Sequence, residues 1–110
     1  MYLFVKYSLF INMLTKQVIT KKLKSVLDPE LNISIVELGL IYDVKIKKAD
    51  VEILMTLTTM GCPLFSLIED EVKKAIRKIS GVKKITVKLT FDPPWSAERM
   101  SKGARSALGI

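Results

Sequence analysis

The stretch VEILMTLTTMGCPLFSLIEDEVKKAIRKISGVKKITVKLTF, residues 51–91, decides the fold. Apolar residues recur at every second position at its start and at its end, which is typical of half-buried strands. Between these runs, apolar residues from Phe65 to Ile79 keep helical spacing, with acidic residues early and basic residues late, as the helix dipole favours. A strand, a helix and a strand in this order predict two parallel strands joined by a right-handed crossover.

A helix is predicted upstream of this unit. Thr15 is a candidate N-cap, and the helix is expected to run to about Leu27, where Asp28-Pro29 ends it. Gly39, in the connection that follows, is expected to supply unusual backbone geometry.

The hairpin and the C-terminal segment complete the expected elements. Alternation begins at Tyr42, and a polar turn at residues 47–50 leads into the strand at Val51, which predicts an antiparallel hairpin. The sequence DPPW, residues 92–95, ends the last strand, and Ser96 is a candidate cap for a short terminal helix.

The predicted order is helix, strand, strand, helix, strand, helix. It describes a two-layer α/β (α+β) domain with a three-stranded mixed sheet. Residues 13–110 are expected to form this single domain, and residues 1–12 to be an N-terminal extension or an upstream start, with packing as an extra strand left open. This apolar stretch is interrupted by Lys6 and is shorter than the roughly 20 residues of a membrane span.

Composition narrows the chemistry. The 110 residues include one cysteine and no histidine, so an internal disulfide and a closed zinc site are excluded and a reducing cytoplasm is expected. The net charge of +7 favours anionic partners. Because the basic residues are mostly dispersed lysines without interleaved aromatic residues, direct nucleic-acid binding is disfavoured.

Cys62, before Pro63 at an expected helix start, is the candidate reactive group. The dipole and unpaired backbone N–H groups there are expected to lower the pKa of the thiol. Two alternatives stay open: a cysteine that only fills space, and a helix that begins at a Ser66–Glu69 capping box, one turn beyond Cys62.

Elimination leaves metal chemistry for this thiol. A cysteine hydrolase needs a general base, usually histidine, and a disulfide reductase needs a second thiol. Glycine-rich phosphate loops are absent from the sequence. Thiolate suits iron and iron-sulfur clusters, but an ordinary cluster takes four thiolates. The missing ligands are expected from a second copy, a partner, a client protein, or Asp28 and Glu30.

The expected topology also brings candidate side chains to one edge of the sheet, because the loops after two parallel strands emerge together. These candidates are Asp28, Glu30, Glu37, Thr58, Thr59, Cys62 and Asp92. Simpler roles compete: Asp28 as a cap of its own turn, Thr58 and Thr59 as strand ends, Glu37 as a solvated acid and Trp95 as a packing anchor.

Four motifs in order carry a family resemblance: DPELNISIVELGLIYDVKI, MTLTTMGCP, GVKKITVKLTFDPPW and ERMSKGARSALG. Over roughly residues 15–110 the chain resembles the PaaD/SufT-like domain of iron-sulfur cluster assembly factors, also called domain-of-unknown-function family fifty-nine. The resemblance implies a cytoplasmic assembly, maturation or targeting factor that is not an enzyme on its own.

The resemblance also implies a site and partners. The family's cysteine falls on Cys62, its acidic pair on Asp28 and Glu30, and its threonines on Thr58 and Thr59. Iron or a cluster would be bound transiently, with sharing between chains and a homodimer left open. Scaffold or carrier proteins, client apoproteins and a separate P-loop ATPase would be partners, and a membrane would not. The alternatives are a protein-protein adaptor with a structural cysteine and a basic nucleic-acid module.

Overall fold

The computed structural model describes residues 14–58 and 64–110 of the chain. Its elements are helix α1 (Lys16–Leu23), strands β1 (Ile41–Lys47) and β2 (Asp50–Met55), helix α2 (Phe65–Arg77), strand β3 (Lys84–Leu89), a 3-10 turn (Ala97–Arg99) and helix α3 (Lys102–Leu108). This order confirms the predicted one. None of the helices in the described ranges combines the length and apolar character needed to cross a membrane.

The sheet confirms the predicted mixed topology. Its strand order is β1-β2-β3, with β1 and β2 antiparallel and β2 and β3 parallel. One end of the sheet carries a row formed by Ile41, Met55 and Leu89, and the other end carries Lys47, Asp50 and Lys84. A register shift between Ile41 and Asp43 places a bulge at Tyr42.

The hydrophobic core lies between one face of the sheet and helices α1 and α2. Helix α1 packs on α2 and β1, and α2 packs on β3. The central buried residues are Ile19 and Leu23 of α1, Val44 of β1, Val51, Ile53 and Met55 of β2, and Ile68, Val72 and Ile76 of α2. Each such side chain contributes about 1.5–3 kcal/mol when fully buried, so this face holds the two layers together.

The first helix is shorter than predicted. It ends at Leu23 rather than near Leu27. The backbone N–H of Ile35 donates to the carbonyl oxygen of Val26 at 2.9 Å, and Leu27 forms an antiparallel bridge with Ser34. Because this pairing needs extended backbone, the helix cannot continue through Val26, and the prediction was wrong by about one turn.

The predicted cap of the terminal helix is also corrected. Ser96 precedes only the 3-10 turn, Met100 has extended backbone, and the hydroxyl of Ser101 caps α3 by accepting from the N–H of Ala104 at 3.1 Å. The N–H of Ser101 donates to the carbonyl oxygen of Glu37 at 2.8 Å. That contact with a distant segment interrupts the helix that the sequence spacing suggested.

Candidate functional site

The edge formed by Ile41, Met55 and Leu89 is the predicted site edge, and hydrogen bonds continue beyond it. The N–H of Thr56 donates to the carbonyl oxygen of Leu40 at 2.8 Å, and the N–H of Thr90 donates to that of Met55 at 2.9 Å. The chain segments that follow the two parallel strands therefore leave the sheet side by side, as the topology predicted.

Asp28 lies in a tight turn on the approach to this edge. Its side chain is buried, and its Oδ1 accepts hydrogen bonds from the backbone N–H groups of Glu30, at 2.8 Å, and Leu31, at 3.0 Å. The N–H of Asp28 donates to the carbonyl oxygen of Ile33 at 2.9 Å. Asp28 therefore caps its own turn, the simpler of its two expected roles, through one carboxylate oxygen.

Glu30 is exposed at the tip of the same turn. Its N–H is used by Asp28, but its carboxylate is in no salt bridge within the described ranges. The turn connects to the edge because Ile35 binds Val26 and the N–H of Leu40 donates to the carbonyl oxygen of Ile35 at 3.0 Å. Asp28 thus shapes the turn, while Glu30 presents a carboxylate to solvent.

Thr58 is half-buried and lies three residues beyond the end of β2. Thr59 and Cys62 lie outside the described residues. Helix α2 begins at Phe65, and its N-cap residue Leu64 makes no side-chain capping bond. Ser66 is therefore already inside the first turn, so the alternative helix start at a Ser66 capping box is wrong.

The 92–95 loop is fixed against the segment that precedes β1. The indole Nε1–H of Trp95 donates to the carbonyl oxygen of Leu38 at 2.7 Å, and the hydroxyl of Tyr42 donates to that of Pro93 at 2.7 Å. Trp95 is partly buried against the core, which confirms its expected role as an anchor. Asp92 is exposed, and its N–H donates to the Thr90 hydroxyl at 3.2 Å.

Thr56 is a polar residue at this edge that the sequence interpretation did not single out. It is fully buried, and its Oγ1 has one long contact, 3.5 Å to the carbonyl oxygen of Leu57. Threonine is common in strands, so the residue type alone did not distinguish Thr56. The only signal in the sequence was its position between Met55 and Leu57, in an otherwise apolar run.

Within residues 14–58 and 64–110, no group of three or more acidic, cysteine or histidine side chains is arranged to hold a metal ion. Among the candidate acids, Glu30 and Asp92 are exposed and in no salt bridge within these ranges, whereas Asp28 is buried.

The sequence of this chain matches a protein family and is similar to individual proteins of related name. A family described as iron-sulfur cluster assembly protein matches residues 16–89. The Fe-S protein maturation auxiliary factor YitW of Bacillus subtilis is 48% identical over 96 residues, covering 86% of this chain and 94% of that protein. The auxiliary factor SufT of Staphylococcus aureus is 43% identical over 86 residues, covering 77% and 98%.

A solved structure supports the same assignment. The domain of unknown function DUF59 from Bacillus anthracis superposes with a TM-score of 0.82 at 42% identity, covering 86% of this chain and 92% of that one. The family match spans both layers of the fold, from α1 to the end of β3. The chain belongs to the iron-sulfur cluster assembly protein family, the PaaD/SufT-like family that its motifs indicated.

Proposed function

We propose that this chain is a cytoplasmic, non-catalytic factor for the assembly or maturation of iron-sulfur proteins. The observation that carries the proposal is the family match over residues 16–89. Two relatives similar over nearly their whole length are named Fe-S protein maturation auxiliary factors. Because the similarity covers 94% and 98% of these two relatives, we extend this role to the whole domain, residues 13–110.

In this proposal Cys62 binds iron or a cluster as transient cargo. Thiolate is the preferred ligand of iron-sulfur clusters, which usually take four of them. Because the chain has one cysteine, the remaining positions stay available to a scaffold or carrier protein, a client apoprotein, or a second copy of the chain. Incomplete ligation favours transfer, since an incoming thiolate replaces a weaker ligand. A P-loop ATPase would act as a separate partner.

The other candidate residues act around this thiolate. Asp28 holds the turn through its two backbone bonds, and Glu30 on that turn offers a carboxylate to the cargo or to an incoming protein. Thr58 and Thr59 follow β2 in sequence, where hydroxyl groups would donate hydrogen bonds to sulfur. Hydrogen bonds of this kind tune bound clusters.

The test is anaerobic purification of the full chain, reconstitution with iron and sulfide, and measurement of bound iron, sulfide and native mass. Cys62→Ser should lose the bound cargo, because a hydroxyl is a poor ligand for soft metals. Glu30→Gln should weaken retention, and Glu98→Gln, an exposed acid on the 3-10 turn, is the matched control that should not.

The contradicting result is equally specific. If Cys62→Ser keeps the same iron and sulfide content and restores iron-sulfur enzyme activity in a deletion strain as well as the parent, the thiolate does not bind cargo. The adaptor role with a structural cysteine then replaces this one. Melting temperatures of each variant separate loss of binding from loss of fold.

A further inference from the structure

The sheet has a second face, turned away from α1 and α2. Alternation puts the side chains next to buried Val51, Ile53 and Met55 on this face. The strand register arranges them in three rows across the sheet, which are Asp43–Leu54–Lys88, Lys45–Glu52–Thr86 and Lys47–Asp50–Lys84. All nine side chains are exposed or half-buried, so this is a polar face available to a partner.

Lysines concentrate at one end of the sheet, where Lys45, Lys47 and Lys84 are on this face and Lys48 and Lys83 lie beside it, outside the strands. The residues are Lys45, Lys47, Lys48, Lys83 and Lys84, which we call the lysine end. A two-residue turn at Lys48-Ala49 joins β1 to β2, and the N–H of Lys83 donates to the carbonyl oxygen of Ala49 at 2.8 Å. All five are exposed, and none is in a salt bridge within the described ranges.

Charge is laid out in lines along the strands. The lysines form two lines, one on or beside edge strand β1 and the other on or beside edge strand β3. Between them, central strand β2 carries Asp50 and Glu52, which line a shallow groove of about 340 Å³. Glu52 is bound by Lys88 at 2.9 Å. Since neighbouring strands lie about 4.8 Å apart, the two lysine lines are separated by roughly 10 Å.

We infer that the lysine end binds an acidic, extended segment of a partner protein. Successive side chains of an extended peptide point to opposite sides. Carboxylates at neighbouring positions of the peptide therefore reach both lysine lines, while its uncharged backbone lies over Asp50 and Glu52 of β2. A nucleic acid fits less well, because the groove lining contains neither aromatic side chains nor arginine. Its continuous row of phosphates would also lie against the carboxylates of β2.

Protection of sheet edges alone does not account for this arrangement. Lysines on edge strands discourage pairing with other chains, and Lys45, Lys47, Lys84 and Lys88 serve that purpose. Lys48 and Lys83, however, lie outside the strands, and they add charge where no edge needs protection. The surface is at the opposite end of the sheet from the edge formed by Ile41, Met55 and Leu89, so its binding does not depend on the proposed function.

The test is fluorescence anisotropy of the full chain with a fluorescein-labelled peptide of repeating Glu-Glu-Ser-Ser, which places carboxylates on both sides of an extended backbone, at several salt concentrations. The triple variant Lys47→Gln, Lys83→Gln, Lys84→Gln is compared with the triple variant Lys21→Gln, Lys22→Gln, Lys24→Gln at the C-terminal end of α1. Each lowers the formal net charge of +7 by three. The first should weaken binding about tenfold, the combined effect of three ordinary surface charge contacts. The α1 variant should change it less than about twofold.

Three results would overturn the inference. Equal weakening by both variants would show that only net charge matters. Tighter binding of a single-stranded DNA of the same net charge would identify a nucleic-acid surface instead. No binding of the acidic peptide at low salt would leave the lysines with an edge-protecting role only. Melting temperatures of both variants confirm that each remains folded.

Discussion

The indole of Trp95 is hydrogen-bonded to the backbone of Leu38, with 2.7 Å between Nε1 and the carbonyl oxygen. Leu38 is fully buried and precedes β1, while Trp95 follows β3. This bond therefore joins the segment before one outer strand to the segment after the other, outside the strand ladder. It holds the 92–95 loop beside the edge where β2 and β3 end.

Trp95→Phe should lower the free energy of unfolding by about 1–3 kcal/mol, because it leaves the Leu38 carbonyl without this donor. Tyr42→Phe is the matched control: it removes the 2.7 Å bond to the Pro93 carbonyl, which is exposed, and should cost less than about 1 kcal/mol. Urea denaturation measures both. Equal losses would mean that burial of the Leu38 bond adds nothing.

Gly39→Ala should be strongly destabilising. Gly39 has φ +75°, and an added Cβ would lie 2.6 Å from the Cβ of Arg99 and against its carbonyl oxygen. Gly81→Ala is the control, with φ +93° but nothing within 4 Å of the added carbon. The left-handed backbone alone costs about 1–2 kcal/mol, so Gly81→Ala should lose that amount and Gly39→Ala more. Thermal melts that rank the two in reverse would contradict the close packing of Arg99.

Asp28→Ala should lower stability by about 1–2 kcal/mol, because two backbone N–H groups lose their acceptor. Asp28→Asn keeps an acceptor oxygen and should lose less. If both lose the same amount, the negative charge of Asp28 supports the turn, rather than the acceptor geometry. If Asp28→Asn stays stable but retains less iron after reconstitution, the carboxylate also serves the cargo.

Glu52 gives a predicted pH dependence. The hydrogen bond from Lys88 lowers the pKa of Glu52 below its ordinary value of 4.5. The folded state therefore binds this proton less readily than the unfolded state, and the stabilisation is present above pH 4.5 and lost as pH falls through the folded pKa. Melting temperatures of the parent and Glu52→Gln should differ at pH 7 and converge in acid. A constant difference across this range would contradict the ion pair.

The sheet could be predicted because local and distant information agree. Alternation around Val44, Ile53 and Val87 fits a single buried face, and the register places these three residues in one row. The end of α1 could not be predicted, because it depends on the pairing of Val26 with Ile35. The choice of Ser101 over Ser96 as a cap depends in the same way on the distant Glu37 carbonyl.

In the candidate site, too, features set by local sequence could be predicted and features set by distant contacts could not. The turn at Asp28 could be predicted from the sequence, because its hydrogen bonds reach only two and three residues along the chain. The shared edge of β2 and β3 followed from the parallel crossover. The burial of Thr56 could not be predicted from the sequence, since it depends on the distant Leu40, whose carbonyl oxygen accepts from the N–H of Thr56 beyond the end of β2.

The central position of β2 separates changes in the 59–63 segment from the rest of the fold. Met55 pairs with Ile41 on one side and Leu89 on the other, so the strand is anchored from both sides before the chain leaves the sheet. Substitutions or length changes beyond Thr58 would not shift its register, because a slip would have to break both ladders. The 59–63 segments of related chains should therefore be interchangeable at this point, which would allow the chemistry of that segment to vary on an unchanged fold.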